Sequence, residues 1–494
     1  MMMEERTMKK HILSLAILLA AGGYAFGQTV YLSEIKVTNR EVTKTADRQA
    51  NVSMELNLDE LDMKRQHSLR LTPVILSADG SQEAELPPVV INGKVRDRVQ
   101  QRVETLDHVR LNPDAIAVVR RKNGSEQTVE YTASVPFKRW MIGGNIQLRG
   151  QVIGCALCNE GGETATTGDI FPPMNPTYYK PFIAPKEEVV KRRSETRAAH
   201  IQFRQDSHRI DPNYLNNRSE LDSVHHSIEV VKDNDDLTIT GIYVTGYASP
   251  EGKFDYNMNL SERRAKAFTE YVKKDMENID PAIYHVAWKG EDWEGLRREV
   301  EKRPQLLKQN EVLDIIDNCG GDKDACEEQL KALVPPEIYQ RLLNEMYPPV
   351  RRNEYRVEYN VRHFTIEEGR KMIQSRPDLM SVSEIQQVAD SYGKGTPEYT
   401  ECLLAGVKGH PTDVTALNNA ALALIEANRA AEAAEMLERA PQDGALQNML
   451  GAAYISMGET AKAEAAFRRA AEAGYTQASD NLNQLLRYNE YMAE

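Results

Sequence analysis

Three regions of different periodicity make this a multidomain chain: an N-terminal all-β sandwich, a central α/β domain with a helical insertion, and a C-terminal all-α array of helical repeats. From Gln28 to about Ile183 apolar and polar residues alternate in short runs separated by turn dipeptides at Asp79-Gly80, Asn92-Gly93 and Asn123-Gly124, the signature of antiparallel strands. Prolines 172, 173, 176, 181 and 185 then interrupt both helix and sheet. Beyond residue 365 small and apolar residues recur at helical spacing in two similar blocks. A chain of 494 residues is too long for a single core and predicts about three domains. Hydrophobic residues make up 41% and charged residues 27%, a globular balance, and the formal net charge of −13 argues against nucleic acid or anionic lipid as the main partner. It is silent on a local arginine site.

The first 27 residues read as a signal peptide. Lys9, Lys10 and His11 precede the apolar run Ile12 to Ala21, which is short for a membrane span, and Ala25-Phe-Gly27 offers small residues for cleavage before Gln28. Met8 is the expected start, because Glu4 and Glu5 do not suit a basic leader, and no Cys at the cleavage point indicates a lipid anchor. Export to the periplasm or the outer membrane follows, with no transmembrane segment after cleavage.

Residues 28–183 form the all-β domain, with strands expected at Thr29 to Val37, Asn51 to Asn57, Ser68 to Leu76, Ala115 to Arg120, Thr128 to Ser134 and Ile146 to Val152. Cys155 and Cys158 form a C-x-x-C in a loop context, and Cys319 and Cys326 stand seven apart; both pairs are candidate disulfides in an oxidising compartment. A thiol oxidoreductase would need the C-x-x-C between a strand and a helix, and zinc would need a second Cys or His pair nearby. Neither is present. No metal, no cofactor and no catalytic residues are expected.

Residues 184–197 read as a linker, and residues 198–364 as the α/β domain with its insertion at about 284–347. Its most informative stretch is Thr245-Gly-Tyr-Ala-Ser-Pro-Glu-Gly252, then Asn257, then Leu260-Ser-Glu-Arg-Arg-Ala265. A strand runs into a Gly/Pro loop, and a helix is expected to open with Arg263 and Arg264 in its first turn, where cations are unfavourable unless they share an anion with the backbone. This segment resembles the peptidoglycan-binding domain of OmpA-like outer-membrane proteins, whose pattern is T-G-H-T-D-x-x-G, an Asn, then L-S-x-x-R-A. The resemblance extends to Ile201–Ile210 as first strand and turn, Asn217 to Val231 as helix, Leu237 to Val244 as strand, and Tyr355-Arg-Val-Glu-Tyr359 as last strand, about a third of the chain. It implies that Arg264 clamps the carboxylate of a diaminopimelate stem peptide, with Asn257 and Arg356 at other motif positions. Ser249 falls where the family has aspartate, so the ammonium loses its Coulombic partner and Glu251 is the nearest substitute.

Residues 365–494 resemble tetratricopeptide repeats, on Leu450, Gly451, Tyr454, Gly458, Ala463, Phe467 and Ala470, with a looser copy from Leu417 to Ala440 and a cap expected at Ala478 to Tyr491. The N-terminal region also resembles an uncharacterised module that precedes OmpA-like domains in exported proteins of Gram-negative anaerobes, some encoded with fimbrial components. Together these imply a non-enzymatic envelope protein that docks on peptidoglycan and holds envelope or fimbrial proteins through its repeats and β-domain. The alternative is an accessory factor for surface-fibre assembly whose wall site has lapsed. Nucleic acid is not an expected partner.

Overall fold

The computed structural model describes residues 31–154, 159–204, 207–275 and 279–494. The expected signal peptide and the Cys155/Cys158 pair lie outside the described residues. The fold divides into two units. One holds the described residues up to Tyr179 together with Thr476–Glu494, and the other is Lys180–Tyr475.

The first unit runs β1 (Lys36–Lys44), β2 (Gln49–Asn57), β3 (Ser68–Leu76), β4 (Glu83–Glu85), β5 (Val89–Asn92), α1 (Lys94–Asp107), β6 (Ala117–Arg120), β7 (Thr128–Pro136), β8 (Asn145–Ile153) and β9 (Asn159–Asp169). β1, β2 and β7 form one sheet; β6, β5, β3, β8 and β9 form the other, with β4 paired to β3. Strict alternation along β2 buries Ala50, Val52, Met54 and Leu56, which share one core with Leu69, Leu71, Ile146 and Leu148 of the second sheet. The unit is β-rich but not all-β. β5 and β6 are parallel neighbours, which a tight turn cannot join, and α1 is the crossover between them. The Asn92-Gly93 turn signal therefore opens a helix, with Gly93 as its N-cap. The first strand also starts later than expected, at Lys36.

The last helix of the chain, Thr476–Met492, expected as the cap of the C-terminal helices, belongs to this unit. Lys44 Nζ donates to the carbonyls of Glu490, Tyr491 and Ala493, so a cation meets the negative end of the helix. Asn481 grips the backbone of Tyr179 by accepting from its N–H at 2.7 Å and donating to its C=O at 3.0 Å.

The second unit opens with β10 (Lys191–Ala199), α2 (Asn217–Lys232), β11 (Leu237–Ala248), α3 (Phe254–Asp275) and β12 (Tyr284–Glu291). Helices α4 (Trp293–Glu301), α5 (Gln309–Asp317), α6 (Lys323–Lys331), α7 (Glu337–Arg341) and α8 (Tyr347–Val350) follow, then β13 (Asn353–Val361). The sheet order is β10-β13-β11-β12; β11 and β12 are parallel and the other pairs antiparallel. Leu221, Val224 and Ile228 of α2 and Ala265, Phe268 and Val272 of α3 cover one face. Two boundaries differ from expectation. The presumed linker contains β10, whose sequence KRRSETRAA carries no apolar alternation and becomes a strand through its pairing with β13. The presumed insertion begins with the strand β12, and its helical part has a core of its own around Leu296, Val312, Leu330 and Tyr347. The described residues from Ile201 to Ile210 are not a strand. Cys319 and Cys326 form a disulfide with Cα atoms 5.7 Å apart, and Cys402 is buried and free.

After β13 come α9 (Ile366–Ser375), α10 (Val382–Asp390), α11 (Pro397–Gly409), α12 (Val414–Glu426), α13 (Ala430–Glu438), α14 (Gly444–Ser456) and α15 (Thr460–Glu472). Gly451 lets α14 close on the fully buried Phe467 of α15. A Cβ at position 451 would stand 2.5 Å from two atoms of that ring. Gly451→Ala is expected to lower stability by about 1–3 kcal/mol through overpacking, read as a reduced urea midpoint. On α12, Asn418 donates to the carbonyl of Pro181, and Asn419 both accepts from and donates to the backbone of Ile183 at 2.9 and 2.8 Å. This part of the helical array already holds an extended segment of its own chain.

Candidate functional site

The loop Ser249–Gly252 leaves the end of β11 and enters α3 at once. Gly252 has φ of +86°, a left-handed conformation that favours glycine. Because α3 starts at Phe254, Arg263 and Arg264 lie well inside the helix and not in its first turn, which removes the electrostatic argument based on its N-terminus. Carboxylates from the insertion occupy that terminus. Asp324 accepts from the N–H of Phe254 at 2.7 Å and Glu327 from that of Gly252 at 3.0 Å.

Asn257 is a brace. Its side chain is buried and donates to the carbonyls of Ser249 and Glu251 and to Glu291 Oε1 at 2.9 Å, which fixes the loop onto α3 and β12. Burial pushes the Glu291 carboxyl up, while Asn257 and the Trp293 indole N–H oppose that shift.

Ser249, 3% exposed, is linked to two charged side chains. Arg351 Nε donates to Ser249 Oγ at 3.0 Å, Ser249 Oγ donates to Glu251 Oε1 at 3.0 Å, and Arg351 closes the triangle with an ion pair to Glu251 at 2.7 Å. Glu251 is thus already neutralised from the residue pair that precedes β13. Its neighbour Arg352 pairs with the buried Asp292 and lies 4.3 Å over the Tyr247 ring.

Arg264 differs from these two arginines. Its guanidinium is half-buried and stacks 4.7 Å from the Phe203 ring, its Nε is buried without a hydrogen-bond partner, and it makes no ion pair among the described residues. Burial, reinforced by the like charge of Arg351, pushes it down to about 10, with Tyr256 and Glu251 opposing. A cation taken partly out of water without a counter-charge is costly, and a carboxylate supplied from outside would complete it.

Arg356 is not part of this group. It sits in a cross-sheet row with Thr196 and Tyr243, lies 4.5 Å over the Tyr243 ring, and pairs with Glu358 at 3.0 Å. It lines a separate cleft of about 320 Å³ with Thr245, Tyr247, His285 and Glu354. The structure therefore brings Ser249, Glu251, Asn257 and Arg264 together and leaves Arg356 apart. Arg351, Phe203, Asp324 and Glu327 escaped the sequence reading. The Arg351-Arg352 dipeptide directly ahead of the last strand was the available signal. No group of three or more His, Cys, Asp or Glu side chains among the described residues could hold a metal ion.

Comparison with known proteins places a recognised domain at the N-terminal end. A family model described as a domain of unknown function (DUF3868) matches residues 6–114. It is also 31% identical over 108 residues to Outer membrane protein 41 of Porphyromonas gingivalis (strain ATCC BAA-308 / W83), a match covering 22% of this chain and 25% of that protein. The chain thus spans about a quarter of the length of this relative. No helix among the described residues is long and apolar enough to cross a membrane.

Proposed function

We propose that this chain is a non-enzymatic protein of the cell envelope that docks on peptidoglycan through its central unit. The observation that carries this reading is the half-buried guanidinium of Arg264, its Nε unbonded and without an ion pair among the described residues, beside the Ser249–Glu251–Arg351 triangle. The stem-peptide residue diaminopimelate ends in an ammonium and a carboxylate on one carbon. Its carboxylate would land on Arg264 with two parallel hydrogen bonds, and its ammonium would meet the Oε of Glu251 and the hydroxyl of Ser249. No bond is broken; recognition is reversible. The resemblance of Thr245–Ala265 to the OmpA-like motif supports the same ligand, and the likeness to an outer membrane protein supports the compartment.

Full-length protein should co-sediment with isolated cell-wall sacculi and be released by free diaminopimelate. Arg264→Ala should weaken binding at least about tenfold, the loss expected for one charge-assisted pair. Equal sedimentation of Arg264→Ala would refute the clamp.

One observation favours a second reading, an assembly or accessory factor for surface fibres with a lapsed wall site. Ser249 supplies no charge, and Arg351 already neutralises Glu251, so an incoming ammonium competes with an internal cation. Crosslinking in whole cells separates the two: this version yields protein adducts and no muropeptide adduct near Ser249.

A further inference from the structure

Helix α1 is turned inside out. In a helix at the surface of a globular unit, the apolar stripe normally faces the core. Here the side that packs is polar. Asp97 and Gln100 are buried; Asn92 donates to Gln100 Oε1 at 2.8 Å, Gln100 donates to Glu104 at 2.9 Å, and Gln101 donates to Asp97 at 3.1 Å. The N–H of Leu111 adds a further bond to Glu104 at 3.0 Å. At about 100° per residue, Asp97, Gln100, Gln101 and Glu104 share one face. Val95, Val99, Val103 and Leu106 fall on the opposite face.

That apolar stripe is open at Val99 and Leu106, while Val95 and Val103 are half-buried. Val99 is 50% and Leu106 65% exposed, and exposed apolar side chains continue beyond the helix at Val109 and Leu111. Single exposed apolar residues mean little, but exposed apolar side chains at helical spacing opposite a packed polar network mark a docking face. Its flanks are cationic. Lys94, Arg98 and Arg102 border the stripe on one side and Arg96 on the other, with Arg110 just past the helix end. Against them, Asp107 is the one exposed acid of residues 94–111, because Asp97 is buried and Glu104 half-buried in the packed face.

We propose that α1 is an in-plane anchor that lays its valine and leucine stripe into the interface of an anionic lipid bilayer, with the arginines reaching to the headgroups. The charge distribution selects this occupant. A chain of net charge −13 has concentrated Lys94, Arg96, Arg98 and Arg102, which make no ion pair among the described residues, on both shoulders of an apolar stripe, the pattern that binds acidic lipid surfaces. Long arginine side chains let the stripe sink while their charges stay at headgroup level. The net charge of the whole molecule, which argues against lipid, does not describe this face. The helix lies within the matched domain of unknown function, to which the inference assigns a membrane-surface role.

The test is vesicle co-sedimentation of the full chain. It should pellet with phosphatidylcholine vesicles containing about 30% phosphatidylglycerol, stay in solution with phosphatidylcholine alone, and be released by salt. The double variants Val99→Asn/Leu106→Asn and Arg98→Gln/Arg102→Gln should each lower partitioning at least about tenfold at unchanged far-UV circular dichroism. Should the first variant misfold, the second alone decides. No binding to anionic vesicles, equal binding to neutral ones, or equal binding of folded variants overturns the proposal. So does a wild-type dimer that ignores vesicles and that the substitutions dissociate, since the stripe would then be a protein interface.

Discussion

Glu384→Ala is expected to cost about 3–5 kcal/mol, because it strands a buried ammonium. Lys191, at the start of β10, is fully buried with its Nζ 2.9 Å from Glu384 Oε2 and 4.0 Å over the Phe364 ring. Glu384 occupies the third position of α10, where it accepts from the N–H groups of Ser381 and Phe364 as well. This one carboxylate therefore ties the sheet to the helical array within the second unit. Burial pulls the lysine below its ordinary value, with Glu384 opposing. For the carboxyl, burial works against the charge, but Ser381, Lys191 and Phe364 outweigh it and hold the group below the usual range. A carboxyl depressed in the folded state contributes stability above its unfolded pKa and loses it as pH falls through the folded value. Urea midpoints should therefore drop from about pH 5 downward in the wild type, and less steeply in Glu384→Ala. The double variant Lys191→Met/Glu384→Gln should recover most of the loss. A Glu384→Ala midpoint equal to wild type would mean that solvent reaches Lys191.

Arg264→Met is expected to separate stability from binding. A structural arginine, removed, destabilises; an arginine kept half-buried for an absent ligand already costs stability, and a methionine of similar length should keep the packing on Phe203 without the unpaired charge. The variant should melt at the same temperature or higher, with a gain of up to about 1 kcal/mol. Binding to sacculi should fall at least about tenfold. Diaminopimelate should raise the melting temperature of the wild type and leave that of the variant unchanged. A clear destabilisation of Arg264→Met would reassign this side chain to the scaffold.

Legibility along the chain followed local pattern. α2 was expected from Asn217 to Val231 and runs Asn217–Lys232, because its apolar positions recur at helical spacing and pack on the sheet. Gly451 and Phe467 stood out in the sequence as motif positions, but that the glycine faces the ring across the α14–α15 pair is seen only in the structure. β10 was not visible: KRRSETRAA is a strand because β13 offers it a ladder. α1 was not legible, because Asn92-Gly93 has the composition of a hairpin turn and the helix contributes no apolar side chain to the core. The true start of α3 was hidden for a related reason. Lys253 and Phe254 carry no cap signal of their own, and the carboxylate that satisfies the Phe254 N–H comes from Asp324, distant in sequence.

The sequence, through its resemblance to the OmpA-like motif, picked out the Thr245–Ala265 segment and put Ser249, Glu251, Asn257 and Arg264 forward together. Which of those charges would stay unsatisfied could not be read there. Pairing is settled by distance in space, and Arg351, arriving a hundred residues later from the foot of the last strand, takes Glu251 for itself and leaves Arg264 against an aromatic ring with no ion pair among the described residues.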